Sequence, residues 1–284
     1  MELYLFAVFL GLVQGLTEFL PVSSSGHLAF LENIPAFSGM ASQIDQNYSL
    51  LTFNIFLHGG TLLAVILFWR KDLLKIIMGF FQEFKEKNWQ GQAMQMVVLL
   101  FWACLPLVIV PLIKHLVEAV THSLIAVGWL FIINGLILII AERIYKRKAN
   151  NHIKIEEAED LKWYQSLIIG FFQLLAILPG ISRSGSTISA GQVLRLEVSQ
   201  SVRFSFLISI PALLAATLLD VKDMISTPAK QQDWLLIFFA VLTSFVSGLM
   251  SLRFLVWLGK KALFSPFGFY TMILGTVILV FIVK

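Results

Sequence analysis

Two short stretches of this chain place groups capable of acid–base and phosphoryl chemistry beside prolines that end helices. The first reads Gln14-Gly-Leu-Thr-Glu18-Phe-Leu-Pro21-Val-Ser23-Ser24-Ser25-Gly26-His27. Gln14 and Glu18 stand four residues apart, which sets them on one face of a helix. A glutamine in an apolar helix serves interhelical hydrogen bonding as readily as a site. A carboxylate there points to function, because an intramembrane charge is costly. Serines favour turns and caps, so Ser23, Ser24 and Ser25 alone say little, and at least one is expected to cap a helix. His27 adds weight, since imidazole is the usual proton-transfer partner of a hydroxyl nucleophile.

The second stretch reads Pro179-Gly180-Ile-Ser182-Arg183-Ser184-Gly185-Ser186-Thr187. Small residues and hydroxyls let a loop turn several backbone N–H groups inward as an anion-binding nest. A helix N-terminus following it adds a positive dipole end. Arg183 offers a planar fork suited to phosphate. A guanidinium snorkelling to the surface is the structural alternative, and the flanking hydroxyls and the proline break argue against it. The other polar residues promise less. Asn54 and His58 share a helix face ahead of Gly59-Gly60; His58 could approach the site, with packing or a surface position the expected role. Asn134 reads as interhelical bonding, and His115, His122 and His152 as solvated. The lone cysteine, Cys104, reads as a small buried hydrophobe. There is no phosphate loop of the GxxxxGK[ST] type, no HExxH, and no Cys/His metal spacing.

These motifs need elements to hold them, and composition says which. The chain has 284 residues, 58% hydrophobic and 13% charged, with mean hydropathy +0.83. Soluble domains run near 45–50% apolar and about 25% charged. A lipid bilayer is therefore the expected solvent. The net charge of +4 and pI near 9.2 bring no basic stripe with interleaved aromatics, so a nucleic-acid partner is not expected. Glu2 stands where a signal peptide would be basic, and the first apolar run is expected to stay in place.

Six stretches approach the roughly 20 apolar residues of a membrane span: 51–69, 94–113, 123–141, 201–219, 234–252 and 268–283. Two more, 3–20 and 163–178, run into the proline-broken motifs. They resemble each other, Gly11-Leu-Val-Gln14 answering Gly170-Phe-Phe-Gln173, and three good spans follow each. That is an internal repeat of one broken element plus three helices, and such matched broken segments mark binding sites. If each broken element enters and leaves on one side, the segments 70–93, 142–162 and 253–267 share a face with 14 Lys/Arg, against 3 on 32–50, 114–122 and 220–233. The positive-inside rule favours that arrangement. The expected architecture is all-α and polytopic, a single membrane domain 1–284. Repeat 1 is 1–145 with re-entrant hairpin 3–31, and repeat 2 is 160–284, inverted, with hairpin 163–198. The charged stretch 146–162 divides them.

Over essentially its whole length the chain resembles the undecaprenyl-diphosphate phosphatase family, the bacterial bacitracin-resistance proteins. The resemblance is strongest from Gln14 to His27 and from Pro179 to Gly185. It implies six spans and two re-entrant helical hairpins meeting at mid-membrane, a homodimer, and the bacterial inner membrane. It also implies hydrolysis of undecaprenyl diphosphate to the monophosphate and inorganic phosphate, recycling the carrier for cell-wall synthesis. The implied catalytic positions are Glu18, Ser24, His27 and Arg183. Gln14, Ser23, Ser25, Gly180, Ser182, Ser184, Gly185, Ser186 and Thr187 would bind substrate. The Gln14 position is Glu or Gln in the family, and the Gln form here leaves one carboxylate. The family is described as dependent on Mg²⁺ or Ca²⁺; the sequence shows no oxygen cage for either, with Glu18 the one carboxylate available.

On this reading Ser24 attacks the terminal phosphorus while Glu18 and His27 manage its proton, with His27 as nucleophile the variant. The rival class is a transporter or flippase of isoprenyl-phosphate lipid, which would need the anion site but not the Glu–Ser–His cluster. The other membrane lipid-phosphatase pattern needs a histidine after the Ser-Arg motif, and none follows Arg183. Segment 32–50, free of Lys and Arg beside the first motif, favours access from the outer face.

Overall fold

The computed structural model describes residues 1–48, 50–147, 155–226 and 233–282. The chain folds as α1 (Glu2–Phe19), α2 (Ser24–Asn33), α3 (Pro35–Tyr48), α4 (Leu50–Phe68), α5 (Arg70–Lys85) and α6 (Gln92–Cys104). Then come α7 (Val110–Thr121), α8 (Leu124–Arg147), α9 (Trp163–Leu175), α10 (Arg183–Val193), α11 (Val198–Ser226), α12 (Trp234–Gly259) and α13 (Ser265–Val277). Among the described residues, five helical stretches are long and apolar enough to cross a membrane: Glu2–Phe19, Gln92–Thr121, Leu124–Arg147, Val198–Leu219 and Trp234–Gly259. Phe53–Phe68, Trp163–Leu175 and Ser265–Val280 are shorter apolar helices. The protein is an all-helical, polytopic membrane protein.

Both proline-broken stretches fold as helix–turn–helix units, α1–α2 and α9–α10. Pro21 and Pro179 lack the N–H that would continue the helix. Elsewhere the expected loops are more helical than foreseen. Segment 32–50 contains α3, and segment 70–93 contains α5. In α5, exposed Leu74, Ile77, Met78, Phe81 and Phe84 sit among lysines, the pattern of a helix lying along a membrane surface. The expected span 94–113 runs on to Thr121 through a 3₁₀ turn, Leu105–Ile109, next to Pro106 and Pro111. Part of the charged divider, 148–154 with His152, lies outside the described residues.

The two units pack reciprocally. The first arm of one, α1, lies on α12, and the first arm of the other, α9, lies on α6. The matched glycines make these contacts. A Cβ on Gly11 would stand 2.3 Å from the Ala240 carbonyl oxygen, and one on Gly170 would stand 2.4 Å from that of Ala103. Either would force the backbones apart. Bonds between distant segments also sort the ends of the bundle. Arg203, on α11, reaches Asp72 at 2.6 Å and Glu159 at 2.9 Å. Glu142 accepts from the Phe264 and Ser265 N–H groups, each at 2.7 Å. These contacts join 142–162 to 70–93 through Arg203, and to 253–267 through Glu142. At the other end the Tyr4 hydroxyl donates to Asp233 at 2.6 Å.

Candidate active site

The site is made where the two turns meet. Ser23 adopts φ +68°, a region that non-glycine residues rarely occupy and that costs energy to hold. Its hydroxyl oxygen caps α2 by accepting from Gly26 N at 3.3 Å, and it also accepts from Gly180 N at 3.0 Å. Gly180 has φ +106°, which only glycine takes without strain. Ser182 repeats the arrangement. Its side chain caps α10 from Gly185 N at 3.1 Å and donates to the Leu20 carbonyl at 3.3 Å. Gly26 passes so close that a Cβ would lie 2.8 Å from Gly180 N. One residue from a third helix clamps the pair. The Asn134 amide donates to Pro21 O at 3.1 Å and accepts from Ser182 N at 2.8 Å.

Asn134 is fully buried, so truncating it strands a backbone group in each turn. Each stranded group costs about 1–3 kcal/mol. Asn134→Ala is expected to lower the thermal midpoint in detergent by several degrees and to reduce turnover, whereas a surface change such as Thr276→Ala leaves both alone.

Glu18, near the end of α1, is the hub. Its Oε1 accepts from Arg183 Nη2 at 2.7 Å, and its Oε2 accepts from Ser24 Oγ at 2.5 Å and from Gln14 Nε2 at 3.0 Å. The guanidinium also donates to Ser209 O at 3.3 Å. Side-chain exposures of 6% for Glu18 and 16% for Arg183 place this ion pair away from bulk water, where charge-assisted bonds are strong and unpaired charges expensive. Ser24 is the starting residue of α2 and Arg183 that of α10. The first N–H groups of a helix have no intrahelical acceptor, so two positive helix ends face one spot.

That spot is a cavity of about 310 Å³. Its polar end is Glu18, Ser23, Ser24, Ser25, His58, Gln173, Ser182 and Arg183. Its apolar wall includes Leu107, Val110, Ile177, Ile181, Leu213, Ala215, Ala216 and Leu219. Gln173 is 2% exposed and its amide oxygen has no partner. An anionic head group with an apolar tail matches this division of the lining. Among the described residues no three His, Cys, Asp or Glu side chains come together. Both oxygens of the one carboxylate already take donors, so the residues present do not make a cage for Mg²⁺ or Ca²⁺.

The candidates from the sequence divide into three groups. Gln14, Glu18, Ser24 and Arg183 are joined directly, and Ser23, Ser25 and Ser182 line the same cavity. Gly180, Ser184, Gly185, Ser186 and Thr187 are buried behind it, building the turn and the start of α10. His27 stands apart. Its Nδ1 bonds Ser23 O at 2.7 Å, its Nε2 bonds the Tyr270 hydroxyl at 2.8 Å, and its ring stacks on Tyr270. In this arrangement it braces the strained turn. Sequence reasoning overlooked Tyr270, whose phenol, the one in the apolar span 268–283, was the available signal. It also undervalued His58.

The comparisons with known proteins agree with one another. The family model described as bacitracin resistance protein BacA matches residues 7–277. Among curated relatives, an undecaprenyl-diphosphatase of Halothermothrix orenii is 32% identical over 274 residues, covering 96% of each chain. One of Alkaliphilus metalliredigens is 34% identical over 282 residues, covering 97% of each. Undecaprenyl-diphosphatase 1 of Shouchella clausii is 35% identical over 284 residues, covering 97% of this chain and 95% of its own. With the match running through both broken hairpins and the spans around them, this chain belongs to the bacitracin resistance protein BacA family.

Proposed function

We propose that this protein hydrolyses undecaprenyl diphosphate to undecaprenyl phosphate and inorganic phosphate at the Glu18–Ser24–Arg183 cluster. The observation that carries the reading is a serine hydroxyl 2.5 Å from a buried carboxylate that is itself paired with an arginine. Phosphoryl transfer asks for positioning and charge neutralisation. Ser24 Oγ attacks the terminal phosphorus, its proton passes to Glu18 Oε2, and the P–O bond to the lipid phosphate breaks. The leaving group, whose second pKa is about 6, departs without a proton from the enzyme. Arg183, Ser182 and the N–H groups opening α2 and α10 hold the phosphate oxygens. His27, bonded to Ser23 O, positions the loop from which Ser24 attacks.

The architecture behind this reading is six spans plus two re-entrant hairpins, as two inverted repeats of 1–145 and 160–284. The reciprocal packing of α1 on α12 and α9 on α6 supports it. Access from the outer face is supported by the cavity's apolar wall, which runs along α11 as far as Leu219 and takes in Val110 at the start of α7. The homodimer belongs to the proposal through the family resemblance, and native mass spectrometry in detergent checks it.

The test uses purified protein in detergent micelles, where no gradient exists. Release of inorganic phosphate from undecaprenyl diphosphate is the expected result. A protein that binds the lipid tightly yet releases no phosphate would be a carrier of isoprenyl phosphates instead.

A further inference from the structure

His58, on α4, points its free nitrogen at the reacting groups. Nδ1 lies 2.9 Å from the Asn54 carbonyl oxygen one turn earlier. A carbonyl can only accept, so that bond places the proton on Nδ1 and leaves Nε2 of the neutral ring with its lone pair. Nε2 stands 3.9 Å from Glu18 Oε2, the same oxygen that takes the Ser24 hydroxyl. A water in the cavity, to one side of that gap, can bond both atoms. His58 lines the cavity, and its side chain is 32% exposed. Apart from Glu18 and Arg183 it is the one titratable side chain among the described residues that does so.

We propose that His58 is the general base for the second half of the reaction. This rests on the reading in which Ser24 forms a phosphoserine. After the first step Glu18 carries the Ser24 proton and has no basicity left for water. In the second step a water oxygen forms its bond to phosphorus while the phosphorus–Oγ bond breaks. His58 Nε2 takes the proton from that water, and Glu18 returns its own to Ser24 Oγ. Phosphate leaves, and the His58 imidazolium, beside a restored Glu18 carboxylate, loses its proton through the open cavity. The histidine in the motif, His27, has both nitrogens committed to Ser23 and Tyr270. His58 is therefore the imidazole placed to meet water.

The experiment follows rapid mixing of enzyme with undecaprenyl diphosphate labelled in its terminal phosphate, for wild type, His58→Ala and His58→Gln. Both variants are expected to release one equivalent of lipid monophosphate in a burst and to hold the label on Ser24. Steady phosphate release should then run about 10²- to 10⁴-fold slower, the usual worth of a general base. Added imidazole should restore part of the rate in His58→Ala. Label that turns over at the wild-type rate in both variants overturns the proposal. So does a burst missing from variants that melt like wild type while Ser24→Ala is inactive, because His58 then serves the first step or the fold. Label absent from the His58 variants while Ser24→Ala keeps turnover removes the Ser24 reading itself, and this proposal with it.

Discussion

Ser24→Ala is expected to lower phosphate release from undecaprenyl diphosphate by about 10³-fold or more, in line with nucleophile deletions in other hydrolases. The substitution removes one oxygen from a half-exposed position at the start of α2. The cap of that helix is the neighbouring Ser23, whose bonds to Gly26 and Gly180 are untouched. Stability should therefore change by less than about 1 kcal/mol, the scale of one lost hydrogen bond. Glu18 keeps its bonds to Arg183 and Gln14, so substrate affinity should hold and KM should move little. A large fall in kcat with an ordinary melting curve is what separates a nucleophile from a structural serine. Ser25→Ala supplies the comparison. Its hydroxyl lines the same cavity at 3.4 Å from Ser23 Oγ without touching Glu18, and it should cost far less.

The Glu18–Arg183 pair carries the second large effect, and here activity and stability separate differently. Arg183→Ala leaves a carboxylate buried without its cation, and Glu18→Gln leaves a guanidinium without its anion. Breaking a buried pair in this way costs about 3–5 kcal/mol. Both single variants should melt well below wild type and turn over at least about 10²-fold more slowly, since each removes a charge that phosphoryl transfer uses. Arg183→Lys should fail as well, because an ammonium cannot reach Glu18 Oε1 and Ser209 O as a planar fork does. Joining the two changes is expected to recover much of the lost stability while activity stays absent. The double variant Glu18→Gln with Arg183→Ala holds no unpaired buried charge. A thermal-shift series across the four proteins, read beside their phosphate release, checks this. Purely additive destabilisation would mean that the two side chains do not act as a pair.

How far the sequence led can be judged residue by residue. The broken helices were legible because Pro21 and Pro179 cannot continue a helix and because polar residues in apolar runs are conspicuous. The partnership of Glu18 with Arg183, 165 positions apart, was foreseeable only as chemistry: a buried anion and a buried cation each needed a partner. Helix α5 was missed because its apolar residues are dispersed among lysines, and a window tuned to continuous spans reads such a helix as a basic loop. His27 lies apart from the Glu18–Ser24–Arg183 cluster because sequence proximity to Ser24 does not fix direction. One helical turn separates them, and the strained turn at Ser23 aims the imidazole back toward Tyr270 on α13. His58 arrived at the cavity from α4, an element with no motif of its own. Local pattern names the groups able to react. Which of them share a cavity depends on how the helices cross.

In the proposed mechanism the reaction turns on a covalent event at one oxygen atom, Ser24 Oγ. Wild-type protein and the slow variant His58→Gln, quenched during turnover of undecaprenyl diphosphate labelled in the terminal phosphate and then digested, should yield the label on the peptide carrying Ser24. Label on His27, or full turnover by Ser24→Ala, would contradict it.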